Sequence, residues 1–407
     1  MAAPTGRGSN LDSVRQHNLS TVLGIVHRQG PSSRAALTAA TGLNRSTIGA
    51  LVAELAELGL AREREPDASN RVGRPSPVVA PNSAITALAV NPEIDAVTVG
   101  LIGLDSVVQH RVHHATRGPV GSLEAARIAS AIIDEVRADL DAAPVAIGVA
   151  MPGLVRRSDG LVRLAPHLNW VDEPFSEQLR ELTGLPVVAA NDAHLGANAE
   201  RWFGAGRGVR DLVYLNGGAS GIGAGVIADG RPLTGLAGYA GELGHTLVNS
   251  SGVRCQCGAI GCLETEVNQR SLLAVLGRES ADGDELEQAL AASDSNAMTD
   301  EIERQLGFLA VSVRNATNIF NPQLIVLGGF LGALVAAAPG RLHELVSATA
   351  LKASGESLRI VRAELGRNLL MIGAAELAFA PLLADPAAWT LPWIAADDPS
   401  RGNSAGA

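Results

Sequence analysis

Apolar positions near the start of the chain repeat with a helical period. Leu19, Val22, Leu23 and Val26 fall at i, i+3, i+4 and i+7, one face of a helix that Gly30-Pro31 stops. Ser33 can cap a second helix, Arg34–Thr41, and Gly42-Leu43-Asn44 makes a short turn before a third helix over about 45–58. Ile48, Leu51, Val52, Leu55 and Leu58 form the buried stripe of that third helix. Segments 60–63 and 77–80 can pair as short strands around the polar loop 66–75. Strands are predicted at 87–90, 145–150 and 187–190, the last followed by an Ala-rich helix over 193–201. The 17 uncharged residues 324–340 are the nearest approach to a membrane span, but Gly328, Gly329, Gly332 and Pro339 interrupt them. They predict a buried strand, a tight loop and a helix start. Residues 280–303 are polar and acidic and predict exposed helices without chemistry, while 373–383 reads as an Ala-rich helix. The tail after Asp385 reads as loose, with Trp389 and Trp393 able to pack on the body.

Two helices around a three-residue turn containing Gly have the layout of a helix-turn-helix. The polar start of the third helix, Asn44-Arg45-Ser46-Thr47, places an Arg fork and short hydroxyls where side chains reach base edges and backbone N–H groups favour phosphate. The competing reading is an ordinary capped helix with solvated polar residues. The loop 66–75 resembles the wing of a winged helix: it carries Arg71, and its Gly73-Arg74-Pro75 turn is slim enough to lay Arg74 in a narrow minor groove. The alternative there is a flexible linker. Charge favours the nucleic-acid reading. Residues 1–80 carry nine Arg against six Asp plus Glu, or +3, so the rest of a chain of net charge -10 carries -13. A basic segment gains counterion-release energy on a polyanion, whereas an acidic body is repelled by phosphate and must bind something else. Arg34, Asn44, Arg45, Ser46, Thr47, Arg71 and Arg74 are therefore the candidate contacts to double-stranded DNA. The expected division is a winged helix-turn-helix over 1–80, a sensor or enzyme over 81–385 and a loose tail over 386–407.

Composition narrows the class of the body. With 407 residues, 46% hydrophobic, 18% charged and 45 Gly, the chain is globular, which argues against disorder, collagen and coiled coil. The start MAAPTGRGSN lacks the apolar stretch of a signal peptide. All three cysteines, Cys255, Cys257 and Cys262, fall within eight residues, which excludes a secreted disulfide framework and points to a reducing cytoplasm with no membrane role. The Cys-x-Cys-x4-Cys cluster with His245 ten residues upstream supplies three thiolates and an imidazole, enough to close one tetrahedral zinc site. Four protein ligands leave no open position, so such an ion is structural and fixes the loop bearing Glu264. The competing reading is three buried cysteines and a surface histidine.

Gly241-Glu242-Leu243-Gly244-His245 followed by this cluster resembles the signature of the ROK family, which contains sugar kinases and sugar-responsive transcriptional repressors. The resemblance runs from about residue 11 to about residue 380. It takes in Pro152-Gly153, Ala165-Pro166-His167-Leu168-Asn169-Trp170, Asn191-Asp192-Ala193 and Ile325-Val326-Leu327-Gly328-Gly329. It implies an α/β body of two actin-like, ribonuclease H-like lobes of sugar-kinase type, with a monosaccharide in the cleft. It also implies a homodimer or homotetramer and a roughly palindromic operator. Residues matching Asn191, Asp192, Glu242, His245 and Glu264 hydrogen-bond sugar hydroxyls in the family, and Asn169 is a further candidate. The chemistry fits, because vicinal hydroxyls donate well to carboxylates. Asp192 alone also reads as a helix cap.

Kinases of the family resemble Asp-x-Gly-Gly-Thr after the first strand of the lobe, where this chain has Asn91-Pro92-Glu93-Ile94-Asp95. Pro92 has no N–H to donate, and Glu93 and Asp95 repel phosphate. A second glycine-rich run, 216–225, reads equally as an anion cradle or as tight turns. The expectation is a non-enzymatic, sugar-sensing repressor; an ATP-dependent sugar kinase is the alternative, and a zinc-stabilised assembly protein a third.

Overall fold

The computed structural model describes residues 11–64, 76–218 and 220–389 of the chain. Helix α1 (Leu11–Gln29) buries Leu19, Val22, Leu23 and Val26 completely. Strand β1 (Ser32–Ser33) leads into α2 (Arg34–Thr41), where the Ser33 side chain accepts from the Ala36 N–H and Gly42, at φ 71°, turns the chain away. Helix α3 (Arg45–Glu57) buries Ile48, Leu51, Val52 and Leu55; Leu58 is its C-terminal cap and only partly buried. Strands β2 (Ala61–Arg64) and β3 (Val78–Pro81) pair antiparallel, and β1 joins the other side of β3. Three helices with this small sheet make a winged helix. The tip of its loop, with Arg71 and Arg74, lies outside the described residues.

The first lobe of the body contains β4 (Thr86–Pro92), β5 (Ala96–Gly103), β6 (Val108–Ala115), α4 (Ser122–Ala138) and β7 (Ile147–Met151). A side sheet of β8 (Leu154–Val155), β9 (Val162–Ala165) and β10 (Trp170–Glu173) precedes α5 (Phe175–Thr183), β11 (Val187–Asn191) and α6 (Asp192–Phe203). The second lobe holds β12 (Leu212–Gly218), β13 (Gly221–Ala228), β14 (Arg231–Pro232), α7 (Leu263–Glu266), α8 (Gln269–Leu276), α9 (Gly283–Ala291) and α10 (Asn296–Phe320). It ends with β15 (Leu324–Gly329), α11 (Phe330–Ala337), α12 (Arg341–Ser347), α13 (Lys352–Gly355) and β16 (Arg359–Arg362), and α14 (Leu369–Ala384) closes the body.

The two main sheets repeat one topology. Their orders are β6-β5-β4-β7-β11 and β14-β13-β12-β15-β16, each reading 3-2-1-4-5 in its own chain order. In both, the first three strands are antiparallel and the last two parallel to the first. This is the actin-like, ribonuclease H-like fold that the motifs imply. Every residue of β4 and β5 is buried, because helices cover both faces; β6, at the edge, is polar and exposed, as an unpaired edge requires.

The 324–340 segment is β15 and α11 with a tight link, as expected. Among the described residues the one helix long and apolar enough to cross a membrane is instead Gly366–Ala384, which contains α14. It is a core helix, wedged between β4, β7 and α6. The 280–303 segment is half inside rather than exposed: Leu286, Leu290, Met298 and Ile302 are buried. The tail does not loosen at 386, since Pro386–Ala388 form a short helical turn and Trp389 packs beside α1; Trp393 lies outside the described residues. Winged helix and first lobe share one core, in which Leu19, Leu23 and Val26 join Leu104, Phe379 and Leu383.

Candidate functional site

Parallel strand β11 delivers Asn191 and Asp192 to the mouth of the interlobe cleft, where carboxyl ends of parallel strands gather ligands. Asn191 is committed to backbone. Its Oδ1 accepts from the His194 N–H at 3.1 Å, capping α6, and its Nδ2 donates to the Gly153 carbonyl at 3.0 Å. Capping by Asn191 leaves Asp192 with a single bond, from the Ala193 N–H at 2.7 Å. Burial pushes the Asp192 carboxyl up to about 7, and the charges of Glu242 and Glu93 push the same way.

Glycines let the second lobe reach this carboxylate. A Cβ on Gly223 would stand 2.9 Å from the Ala193 Cβ, and one on Gly221, at φ 114°, would strike the Glu264 carboxylate at 2.3 Å. Residues 216–218 and 221–225 lie in the β12–β13 pair, and at Gly217, Gly221, Gly223 and Gly225 an added Cβ would clash with neighbouring atoms. Gly244 lets the turn Leu243–His245 lie flat on β13, since a Cβ there would meet the Ile222 carbonyl at 1.8 Å. Glu242 and His245 flank that turn. Burial pushes the Glu242 carboxyl up, partly offset by His245.

His245, Cys255, Cys257 and Cys262 place their donor atoms within 4.8 Å of one another. Cys257 and Cys262 Sγ are 3.6 Å apart, as are Cys255 Sγ and His245 Nδ1. Corners of a tetrahedron with 2.3 Å metal–sulfur bonds are about 3.8 Å apart, so the cluster can hold a metal ion. Short backbone bonds fold the loop: Cys255 N–H to the Ala259 carbonyl at 2.8 Å and Leu263 N–H to the Thr246 carbonyl at 3.0 Å. Burial and Glu264 push the Cys255 thiol up, a penalty that a bound cation reverses by displacing the proton. Glu264 Oε1 lies 3.0 Å from Cys255 Sγ and 3.4 Å from His245 Nδ1, which ties the acidic wall to the metal loop.

Asp192, Glu242, His245 and Glu264 thus come together. Asn169 is exposed, with a left-handed backbone, at the C-terminal cap of the turn Pro166–Leu168. His167, quoted in the same sequence stretch but not singled out, is the residue that reaches the site. Burial pulls its imidazole down, and it feels both Glu264 and His245. With Glu264 and Gly221 it lines a cavity of about 770 Å3.

A second cavity of about 710 Å3 is lined by Asn91, Glu93, Thr98, His113, Gly328, Gly329 and Arg362 among others. The glycines on its wall include Gly328, Gly329 and Gly332 around the β15–α11 link, whereas the β4–β5 turn presents Asn91 and Glu93 to it. Asn91 and Pro92 continue β4, paired with Thr98 and Val97, and the Glu93 carboxylate accepts from the Thr98 hydroxyl at 2.8 Å. The 280–303 segment does contribute here, through ion pairs of Glu287 with Arg362 and Asp284 with Arg367.

In the winged helix, Asn44 caps α3, accepting from the Thr47 N–H at 2.8 Å and the Ser46 hydroxyl at 2.7 Å, while Arg45 is exposed. Arg34 is held by both oxygens of Glu63, at 2.5 and 2.6 Å.

A winged helix fused to duplicated actin-like lobes, with an acidic cleft braced by a thiolate loop, defines a carbohydrate-kinase-type body carrying a DNA-binding module. The chain belongs to the ROK family, whose sequence model matches residues 94–380. It is 28% identical to the xylose repressor of Caldicellulosiruptor bescii over 92% of this chain and 98% of that protein. It is 31% identical to the glucokinase of Thermotoga maritima over 69% of this chain and 93% of the enzyme. A solved ROK family transcriptional regulator, described as a homolog of the Escherichia coli MLC protein, superposes with TM-score 0.74 at 25% identity, covering 91% of this chain and 97% of that one.

Proposed function

We propose that the protein is a sugar-responsive transcriptional repressor of carbohydrate uptake or catabolic genes, acting in the cytoplasm as a homo-oligomer without phosphoryl-transfer activity. The observation that carries this is the pairing of three helices and a small antiparallel sheet in winged-helix order with a body whose β4–β5 turn bears Glu93. The similarity to the xylose repressor, which spans nearly both chains, supports it.

In this reading Asp192, Glu242 and Glu264 accept from sugar hydroxyls, and His245 bridges, Nδ1 toward the metal loop and Nε2 toward the sugar. Asn191 shapes the site through the Pro152-Gly153 turn. The ion is zinc, one per chain, held by His245, Cys255, Cys257 and Cys262; it is structural, and its removal slackens the loop that presents Glu264. Arg45 and the α3 start read bases, and Arg71 and Arg74 reach the minor groove. Arg34 orients the wing strands through Glu63. The repressor modules of an oligomer meet a roughly palindromic operator.

The experiment is retention of DNA from upstream of the protein's own gene, at fixed salt, with and without a panel of monosaccharides. Specific retention altered by one sugar is the expected result. Sugar-dependent ATP consumption that Asp192→Asn abolishes would establish the kinase instead.

A further inference from the structure

The segment between β14 and the turn Leu243–His245 reaches from the second lobe to the first without apolar packing to hold it. None of residues 231–242 is buried, and Leu236 at the tip is fully exposed. Polar clips hold this strap instead. Within it the Ala240 N–H donates to the Thr234 carbonyl at 3.2 Å. From the first lobe, the Arg157 N–H donates to the Ala237 carbonyl at 3.1 Å and the Arg157 guanidinium to the Thr234 hydroxyl at 3.2 Å. The shortest clip is His194 Nε2, 2.6 Å from the Ala240 carbonyl. A carbonyl only accepts, so Nε2 carries the proton, and burial pulls the imidazole down, which favours the neutral ring. His194 stands in the first turn of α6, two residues after Asp192, and its own N–H is fixed by Asn191 Oδ1 at 3.1 Å. Ala240 stands two residues before Glu242. Between them Gly241, at φ 96°, passes so close that a Cβ would lie 3.0 Å from the Ala224 carbonyl and 3.4 Å from His194 Nε2. The charge of Glu242 bears unfavourably on Asp192, so a strap with no core of its own would swing Glu242 away if nothing tied it down.

We propose that His194 is a positioning residue of the sugar site: its Nε2–H, bonded to the Ala240 carbonyl, holds the 233–241 strap across the cleft and keeps the Glu242 carboxylate near Asp192. This deepens the sugar-sensing reading and rests on it. A sugar that finds both carboxylates already in place is spared the cost of ordering the strap, so the hydrogen bond raises affinity without touching the ligand. The metal loop and the winged helix take no part in it.

The test is calorimetric titration of the full metal-loaded chain with glucose, xylose and N-acetylglucosamine, comparing the wild type with His194→Phe, His194→Gln and Arg157→Ala. Phe fills the space of the imidazole without a donor, whereas Gln returns an N–H at similar reach. For the sugar that the wild type binds most tightly, His194→Phe should bind about tenfold more weakly, the scale of one hydrogen bond, and His194→Gln within about twofold of the wild type. Arg157→Ala should lose about threefold, since its main-chain bond to Ala237 remains. Metal content and sugar-free DNA retention should be the same in all four proteins. Wild-type affinity in His194→Phe, or a loss in His194→Gln as large as in His194→Phe, would overturn the proposal and leave the sugar site standing. If His194→Phe does not fold, the exposed Arg157 decides: unchanged sugar affinity in Arg157→Ala would overturn the role of the strap. Failure of the wild type to bind any of the three sugars would overturn the sugar site itself.

Discussion

Asp192 sits where strand becomes helix, and its chemistry is set by what surrounds it. Burial holds its carboxyl near 7, against an ordinary value of 3.8. Between about pH 4 and 7 the folded protein therefore keeps a proton that the unfolded chain releases, so this residue's contribution to stability falls as pH rises through that window. Asp192→Asn should stabilise the sugar-free protein at pH 8 by on the order of 2 kcal/mol, with little effect at pH 4, while weakening sugar binding. Urea melts at both pH values check this, and an equal effect at the two would show that ionisation is not the cause. The thiolate loop gives a second expectation at this scale. One zinc should be found per chain by elemental analysis, and Cys257→Ser or a strong chelator should lower the thermal midpoint by several degrees, since structural zinc contributes folding free energy. At residue level the sequence was legible for Asp192, Glu242, His245, Glu264 and the cysteines, because motif spacing carries them. It did not single out His167, whose nearness to Glu264 and His245 depends on a turn brought across the cleft.

Helix α6 is the element that joins the two ends of the molecule. Its first residue is Asp192 and its last two are Trp202 and Phe203, about 15–17 Å away along the axis at 1.5 Å per residue. Trp202 lies under the guanidinium of Arg28 at 4.2 Å, and Phe203 packs edge-on against His27, centroids 5.7 Å apart. Both partners belong to α1 of the winged helix. His27 is buried, with Nδ1 2.5 Å from the Leu104 carbonyl and Nε2 against the Glu376 carboxylate of α14. Both nitrogens face oxygen atoms. His27→Ala should leave Glu376 with only the more distant Arg28 guanidinium, 4.0 Å away, at a mostly buried interface and cost about 3 kcal/mol. Denaturation by urea measures it; a loss below about 0.5 kcal/mol would mean that water replaces the imidazole without cost. The helical period located α1 well but gave no hint of this contact, because a histidine beside an apolar stripe looks the same whether it meets solvent or a distant glutamate.

Over the whole molecule, charge divides the labour. The winged helix is basic and the body acidic, so DNA affinity should fall steeply with salt, and the body should add nothing to it. Arg45→Ala should weaken specific binding by about 1–3 kcal/mol and random-sequence binding much less. Competition assays on operator and scrambled duplexes test that, and equal losses would assign Arg45 to phosphate. The sequence by itself determined the helices of the winged helix, strands such as β4, β7, β11 and β15 and the close grouping of the cysteines, since each is written in local periodicity or short spacing. Tertiary structure alone decided that two sheets repeat one topology, that Arg34 is paired with Glu63 and that His27 meets Glu376. Those facts depend on which distant segments pack together, and the burial energy that decides packing is summed over the whole core rather than encoded at any one position.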